Sequence, residues 1–314
     1  MNEKEKRRLL NSILDYSKDL EFTELVLYHW DTSLTRVAGS QVHQHVAEVQ
    51  SQLFITIADG KRICSVSTNN LEFQSIKRTI GKARDLVKET SPLPHFTPPS
   101  GPYKTGPKSV FSRHTADCSP NMKVGVIRRV IKIAQDHGLA THAKFLTGEG
   151  EIWIANSLGT LAFTDFTDAS LSLILTGENR ISGYGASANP DVFQIDWESL
   201  THETIKKCKM QRRTPVDIFT ESKRGEAKYL DALLEPGAVA DWVKYLGWIG
   251  FNSLHYQEQE SFMCDHLGER IMGENITIWD DGGDLRGYVM PFDFEGTPKK
   301  KTVFIEKGVA RSLA

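Results

Sequence analysis

The sequence predicts an α+β protein, with two related N-terminal helix-plus-antiparallel-sheet units followed by a third region. Two observations predict this class. An amphipathic helix is followed by strand-like alternation and a tight turn, and the same order of elements recurs 118 residues later. Beyond residue 228 the strand and turn signals continue without a third copy of that order.

The first α+β unit is predicted over residues 1–95. Apolar residues at helical spacing predict a helix over 3–20, and a second helix is predicted over 71–89. Strands are predicted at 25–28, 35–44 and 50–58, the last carrying alternating apolar residues. Asp59-Gly60 is a hairpin signal that joins this strand to the next at 62–66.

A linker is predicted over residues 96–112. The stretch 91–107 holds six prolines and two glycines. Proline lacks the backbone donor that helix interiors and central strands need, so this stretch is expected to be a linker or an extended crossing.

The second α+β unit is predicted over residues 113–222. Its predicted helices span 121–137 and 196–213, and its predicted strands lie at 140–147, 151–155, 171–175 and 180–184. With a shift of 118, Leu53 falls on Leu171 and Arg62 falls on Arg180. We interpret this as an ancient duplication, although the identities are few and two unrelated meanders could also align this well.

The third region spans residues 228–314. Pro236 stands where a helix start favours proline, ahead of a predicted helix over 238–248. A strand is predicted over 276–279, before the turn-rich residues 280–283.

Composition narrows the classes of function. The formal net charge is −2, which gives no field to attract nucleic acid or an anionic membrane. The N-terminus lacks the apolar core of a signal peptide, and no run approaches the ~18 apolar residues of a membrane span. The four cysteines form no Cys-x-x-Cys pair, which is typical of reduced thiols and predicts a cytoplasmic protein.

A family resemblance rests on short motifs whose order and spacing are specific together. They include Leu234-Glu235-Pro236, the stretch 267–271 (LGERI) and the stretch 291–298 (PFDFEGTP), followed by 302–308 (TVFIEKG). The chain resembles the TldD/PmbA family, metalloprotease-like proteins once called modulators of DNA gyrase. It is similar to the PmbA (TldE) side of that pair, and it is expected to be C-terminally short relative to the family.

The resemblance implies that residues 228–314 begin a partial β-rich C-terminal domain, incomplete relative to the family. It also implies a peptidase pair. In TldD-like chains a helical His-Glu-x-x-x-His motif, with a later cysteine, holds zinc, and the carboxylate takes a proton from the attacking water. This chain departs from that pattern, because its helix over 238–248 contains neither histidine nor glutamate. We therefore expect no catalytic, cofactor-binding or metal residues in this chain, with zinc only in a TldD-like partner.

Two pairs of histidines offer other candidate metal sites. His137 and His142 copy the histidine spacing, but Gly138 stands where the base should be and marks a helix end. His43 and His45 share a strand face, and we expect them to be structural or hydrogen-bonding.

The strongest local set of metal ligands lies between residues 255 and 266, where a zinc site competes with a loop that buries a thiol. Its members are Cys264, His266, His255, Glu258 and Glu260. A second, acidic set could bind a cation, although turn chemistry explains residues 280–283 equally well. It consists of Asp280, Asp281, Asp284, Asp293 and Glu295.

Three hypotheses of function follow. The first is a non-catalytic PmbA/TldE-like subunit that helps a TldD-like metalloprotease to act on small or unfolded peptides. The alternative is a self-associating binding protein, or a remnant without a peptidase role. A third hypothesis, a metallopeptidase in its own right, depends on the family name alone, since the motif is absent.

Overall fold

The computed structural model describes residues 1–99, 101–105, 109–211 and 232–314. The helices are α1 (Glu3–Tyr16), α2 (Phe73–Glu89), α3 (Arg113–Ala116), α4 (Pro120–Gln135), α5 (Trp197–Met210), α6 (Pro236–Tyr245) and α7 (Ser253–Gln257). The strands are β1 (Phe22–Ala38), β2 (Gln41–Asp59), β3 (Arg62–Thr68), β4 (Lys104–Thr105), β5 (Ala140–Asn156), β6 (Leu161–Thr176), β7 (Ser182–Asn189), β8 (Ile278–Asp280), β9 (Thr302–Glu306) and β10 (Val309–Ala310).

One sheet runs through both N-terminal repeats. Its strand order is β3-β2-β1-β5-β6-β4, with β7 also paired to β6. Strands β1 and β5 pair antiparallel over most of their length, from Glu24 opposite Asn156 to Val37 opposite Ala143. The two predicted units are therefore joined edge to edge into a single sheet.

The repeat is confirmed in detail. Strand β5 begins at Ala140, 118 residues after β1 begins at Phe22, and both strands have 17 residues. The hairpin register repeats as well, because Leu27 pairs with Leu53 in the first unit and Phe145 pairs with Leu171 in the second. A common register over the same offset is what a duplicated unit predicts.

The helices cover one face of the sheet. In the first repeat the alternate residues Leu25, Leu27, Leu53 and Ile55 are fully or almost fully buried, and they pack with Ile76, Ile80 and Val87 of α2. The second repeat has an equivalent core in which β5 and β6 pack against Ile127 and Val130 of α4. Because side chains alternate across a strand, these cores leave the opposite face of the sheet for other contacts.

Lys123 of α4 is a polar exception within this layer. Its side chain is fully buried. The ammonium donates to the carbonyl oxygen and Oγ of Ser33 at 2.6 Å each and to Oγ1 of Thr147 at 3.0 Å. Burial lowers the pKa of Lys123 to about 8, while the nearby Cys118 thiol acts weakly in the other direction.

Several predicted boundaries differ from the structure. The predicted strand over 35–44 is interrupted by a turn at Gly39 and Ser40, which both have positive φ and separate β1 from β2. The predicted strands at 140–147 and 151–155 are one strand, β5. Residues 232–235 have no regular structure. Residues 212–213 of the predicted second helix, and the boundary between 222 and 228, lie outside the described residues.

The chain forms two compact units, and they do not follow the chain order of the predicted domains. The first unit comprises Met1–Thr176, Gly183–Ile205 and Gly282–Lys299, and the second comprises Gly177–Ser182, Lys206–Asp281 and Lys300–Ala314. Residues 282–299 thus leave the predicted third region and belong with the sheet. The reason is packing, since Phe292 is fully buried among Ile152, Ile154 and Ala162.

The second unit contains α6, α7 and a small antiparallel sheet of order β10-β9-β8. Its core is centred on Phe251, whose ring stacks on Phe304 with a centroid separation of 4.6 Å. Helix α6 continues into a π-helical turn, Leu246–Gly250. Among the described residues, none of the helices combines the length and the apolar character needed to cross a bilayer.

Candidate functional site

The segment 291–298 forms a turn that is fixed on the sheet. Phe292 and Pro298 form an antiparallel bridge, and the backbone N–H of Asp293 donates to the carbonyl of Thr297 at 3.0 Å. The Asp293 carboxylate accepts the N–H groups of Glu295 and Thr297 at 2.9 Å each. Turn chemistry therefore accounts for Asp293.

Gly296 is required at the tip of this turn. Its φ is +81°, and an added Cβ would lie 2.7 Å from Cγ2 of Thr160 and 3.3 Å from Cγ2 of Ile154. Both the backbone conformation and the close approach to the sheet exclude a side chain there.

A cavity of about 410 Å³ opens beside this turn, on the sheet face opposite the helices. Five aromatic side chains line it, from β1, β6 and the segment 288–294. They are Tyr28, Trp30, Phe166, Tyr288 and Phe294. The remaining wall is aliphatic, from Ile152, Val289 and Met290, except for one carboxylate, that of Asp168. A largely apolar cleft of this size with one placed polar group is typical of a small-ligand site.

Two glycines of β5 allow the aromatic rings to lie against the sheet. A Cβ on Gly150 would lie 2.5 Å from Cζ of Phe166, and one on Gly148 would lie 2.6 Å from Nε1 of Trp30. The rings of Trp30 and Phe166 meet edge to face, with centroids 5.1 Å apart. The two glycines therefore make room for the cavity wall.

Asp168 is held at the edge of the cavity by a tyrosine. Oη of Tyr288 donates to Oδ1 of Asp168 at 2.5 Å. Burial, then this hydrogen bond, then the charge of the carboxylate raise the pKa of Tyr288. Burial and the same charge raise the pKa of Tyr28. Asp168 therefore acts electrostatically on two of the aromatic walls.

Glu24 lies on the same face of the sheet, near the turn. Burial, followed by the charges of Glu295 and Asp293, raises the pKa of Glu24 to about 7. Within the described part of the chain, its Oε2 is enclosed without a hydrogen-bond partner. Burial and Asp293 also raise the pKa of Glu295. Sequence analysis placed Asp293 and Glu295 in a wider acidic set, but it did not link them to Glu24.

Helix α6 does not fit a zinc site. It reads PGAVADWVKY, with Asp241 as its sole carboxylate and no histidine. No residue of the helix is buried. Trp242 is 64% exposed, and Trp248, in the π-helical turn that follows, is 67% exposed. Leu246 packs on the core of its unit, whereas Trp242 and Ile249 are exposed.

The rival histidines have other partners. His45 lies 2.9 Å, through Nδ1, from Oγ1 of Thr35, in agreement with the expected hydrogen-bonding role, and His43 is exposed. His137 follows the end of α4, while His142 lies on β5, so the two belong to different elements.

The predicted ligand set of the second unit is brought together only in part. Donor atoms of His255, Glu258 and Glu260 lie within 4.8 Å of one another, and both glutamates are exposed. Cys264 instead donates to the carbonyl of Tyr256, and His266 pairs with Glu269. Exposed groups of this kind are common without an ion, so the geometry alone defines no metal centre.

Sequence reasoning missed the aromatic cavity. The available signal was the pairing of aromatic residues on strands with Gly148 and Gly150 on a neighbouring strand, since glycine within a strand often marks a close approach. The alternation of β1 does place Tyr28 and Trp30 on one face. The contribution of residues 288–294 could not be found this way, because it depends on long-range packing.

Comparisons with known proteins find a shared fold and a shared C-terminal domain. Residues 226–314 match the family model described as the PmbA/TldA metallopeptidase C-terminal domain. An uncharacterized protein of Methanocaldococcus jannaschii is 26% identical over 212 residues, covering 66% of this chain and 47% of that protein. The chain therefore spans about half the length of this curated relative.

Solved structures share the fold at low identity. TldE from Thermococcus kodakarensis matches with a TM-score of 0.81 and 18% identity, over 98% of this chain and 69% of that one. A proposed modulator of DNA gyrase from Bacteroides thetaiotaomicron matches with a TM-score of 0.81 and 19% identity, over 100% and 72% of the two chains.

A further proposed gyrase modulator, from Thermotoga maritima, matches with a TM-score of 0.76 and 14% identity, over 98% of this chain and 70% of that one. The fold is thus that of TldE and its structural neighbours. Residues 226–314 also match the family's C-terminal domain model, whereas the rest of the chain is related to these structures by its fold.

Proposed function

We propose that this chain is a non-catalytic, PmbA/TldE-like subunit of a cytoplasmic metalloprotease, and that its TldD-like partner carries the zinc. The observation that carries this proposal is helix α6, which belongs to the domain matched by the metallopeptidase family model and yet holds neither histidine nor glutamate. A zinc peptidase needs nitrogen, sulfur or oxygen ligands with an open position for water. The substrates of the pair would be small or unfolded peptides.

The surface of α6 supports a role in assembly. Trp242, Tyr245 and Trp248 are all more than half exposed. Large apolar side chains grouped on one surface mark interaction sites, and aromatic residues are enriched where partners bind most strongly. In this proposal the α6 surface, meaning residues 236–250, contacts the TldD-like chain.

The same surface favours a second candidate function, a self-associating binding protein. A homodimer would bury an apolar helix as well as a heterodimer would. The two candidates differ in what occupies the α6 surface, and the occupant can be measured directly.

The test is an affinity purification of the tagged chain from its source cells, followed by mass spectrometry. Stoichiometric recovery of a chain that bears His-Glu-x-x-x-His supports the proposal. Recovery of the chain with only further copies of itself contradicts the subunit role and favours self-association. Trp242→Glu with Trp248→Glu should abolish the association, whereas Leu285→Ser, which replaces an apolar side chain 73% exposed in the other unit, should not.

A further inference from the structure

The aromatic cavity has the chemistry of a site for an organic cation. Tyr28, Trp30 and Phe166 form its inner wall, with Tyr28 and Trp30 centroids 5.5 Å apart. Tyr288, 49% exposed, and Phe294, 64% exposed, lie at its open edge. The negative faces of aromatic rings attract ammonium groups, and several rings around one space form the kind of cage that binds alkylated ammonium.

The charge of the cavity also favours a cation as the ligand. Asp168 is its one carboxylate, and among the described residues no lysine, arginine or histidine pairs with it. Its Oδ1 accepts from Tyr288, and within the same described residues Oδ2 has no hydrogen-bond partner. Asp168 is half-buried, so its free oxygen can pair with a cation that a ligand brings into the cavity.

We propose that this cavity binds a hydrophobic ammonium compound, with the ammonium near Asp168 and the apolar part against the aromatic walls. Anions are disfavoured because the carboxylate would repel them. Neutral apolar compounds would contact the walls but would leave the Asp168 carboxylate without a partner. The site is distinct from the α6 surface, and the inference is independent of the subunit role proposed above.

Two sources can supply such a group: a small free amine, or the amino terminus of a peptide that begins with an apolar residue. Both present one ammonium next to an apolar group. The geometry defines that shared chemistry, and the choice of probes separates the sources.

The test is isothermal titration calorimetry of the full chain at neutral pH with phenethylammonium as the probe. 2-Phenylethanol and 3-phenylpropionate are the neutral and anionic counterparts of similar shape. We expect phenethylammonium to bind more tightly than either. Equal affinity for the ammonium and the alcohol would overturn the proposal, and so would a lack of binding by the ammonium.

Variants then locate the site. Asp168→Asn keeps the shape and removes the charge, and it should weaken phenethylammonium binding about tenfold while leaving 2-phenylethanol unchanged. Asp85→Asn, which removes an exposed carboxylate of α2, should change neither affinity. An equal effect of the two variants would overturn the proposal. If Asp168→Asn does not fold, Phe294→Ser removes an exposed wall instead and should weaken the ammonium probe, and unchanged binding would overturn the site.

The peptide Phe-Gly-Gly, compared with its N-acetylated form, identifies the source. Binding of the free form alone supports a peptide amino terminus as the ligand. Failure of both peptides, with phenethylammonium still bound through Asp168, supports a small amine. Equal binding of the two peptides would contradict recognition of the ammonium group.

Discussion

Glu24 offers a quantitative test of how residues 282–299 are held on the sheet. The side chain lies on β1, with Oε2 enclosed, and Glu295 and Asp293 add negative charge to its surroundings. The pKa of Glu24 is raised from 4.5 to about 7. Between these two pH values the folded state therefore keeps a proton that the unfolded state releases.

The sign and the size of the effect follow from this difference. A raised pKa of the folded state contributes stability that is present below pH 4.5 and is lost as the pH rises through 7. At about 1.4 kcal/mol per pKa unit, the loss approaches about 3 kcal/mol at pH 8. Partial exposure of the side chain makes this an upper value.

Glu24→Gln keeps the shape of the side chain and cannot ionise. We expect it to match the wild type to within about 1 kcal/mol at pH 5 and to be more stable by up to about 3 kcal/mol at pH 8. Urea denaturation at both pH values gives the free energies of unfolding. Glu203→Gln, an exposed residue of α5, is the matched control and should show no such change. A constant difference between Glu24→Gln and wild type at the two pH values would refute the reasoning.

Three further predictions concern packing. Phe292→Ala should lower the free energy of unfolding by about 3–5 kcal/mol in urea, because it leaves a cavity in a fully buried site, and an equal loss in the exposed Phe294→Ala would contradict this. Gly296→Ala should lower the free energy of unfolding by about 1 kcal/mol or more, because residue 296 has a positive φ and an added Cβ would meet Thr160. Wild-type stability of this variant would refute the prediction. The pKa of Lys123 is lowered from 10.5 to about 8, so the free energy of unfolding falls as the pH drops from 10.5 through 8. Thermal unfolding should therefore show the wild type gaining stability relative to Lys123→Met as the pH rises from 8 to 10.5. Parallel pH curves for the two proteins would contradict this.

The sequence was sufficient for those parts of the fold that depend on local periodicity. The alternation at Leu53 and Ile55 located β2, and the shift of 118 that relates Leu53 to Leu171 holds in the hairpin register of both repeats. Strand ends were less predictable. Gly39 and Ser40 make the turn between β1 and β2, although Ser40 is an unusual residue for positive φ.

The candidate site was less predictable, because it depends on contacts between distant parts of the chain. Gly150 falls in the gap between the predicted strands 140–147 and 151–155. Only in three dimensions does it prove to be the place where Phe166 lies against the backbone. The bond between Asp168 and Tyr288 joins residues 120 positions apart, and no periodic pattern encodes such a pair.

The most direct test of the central claim is peptide hydrolysis by the purified chain, alone and together with a TldD-like chain from the same cells, with and without a metal chelator. If the chain is a non-catalytic subunit, we expect no hydrolysis by the chain alone. The pair should hydrolyse the peptide, and the chelator should abolish that activity. Hydrolysis by the chain alone that is lost with the chelator would contradict it, because helix α6 holds no histidine or glutamate for a zinc site.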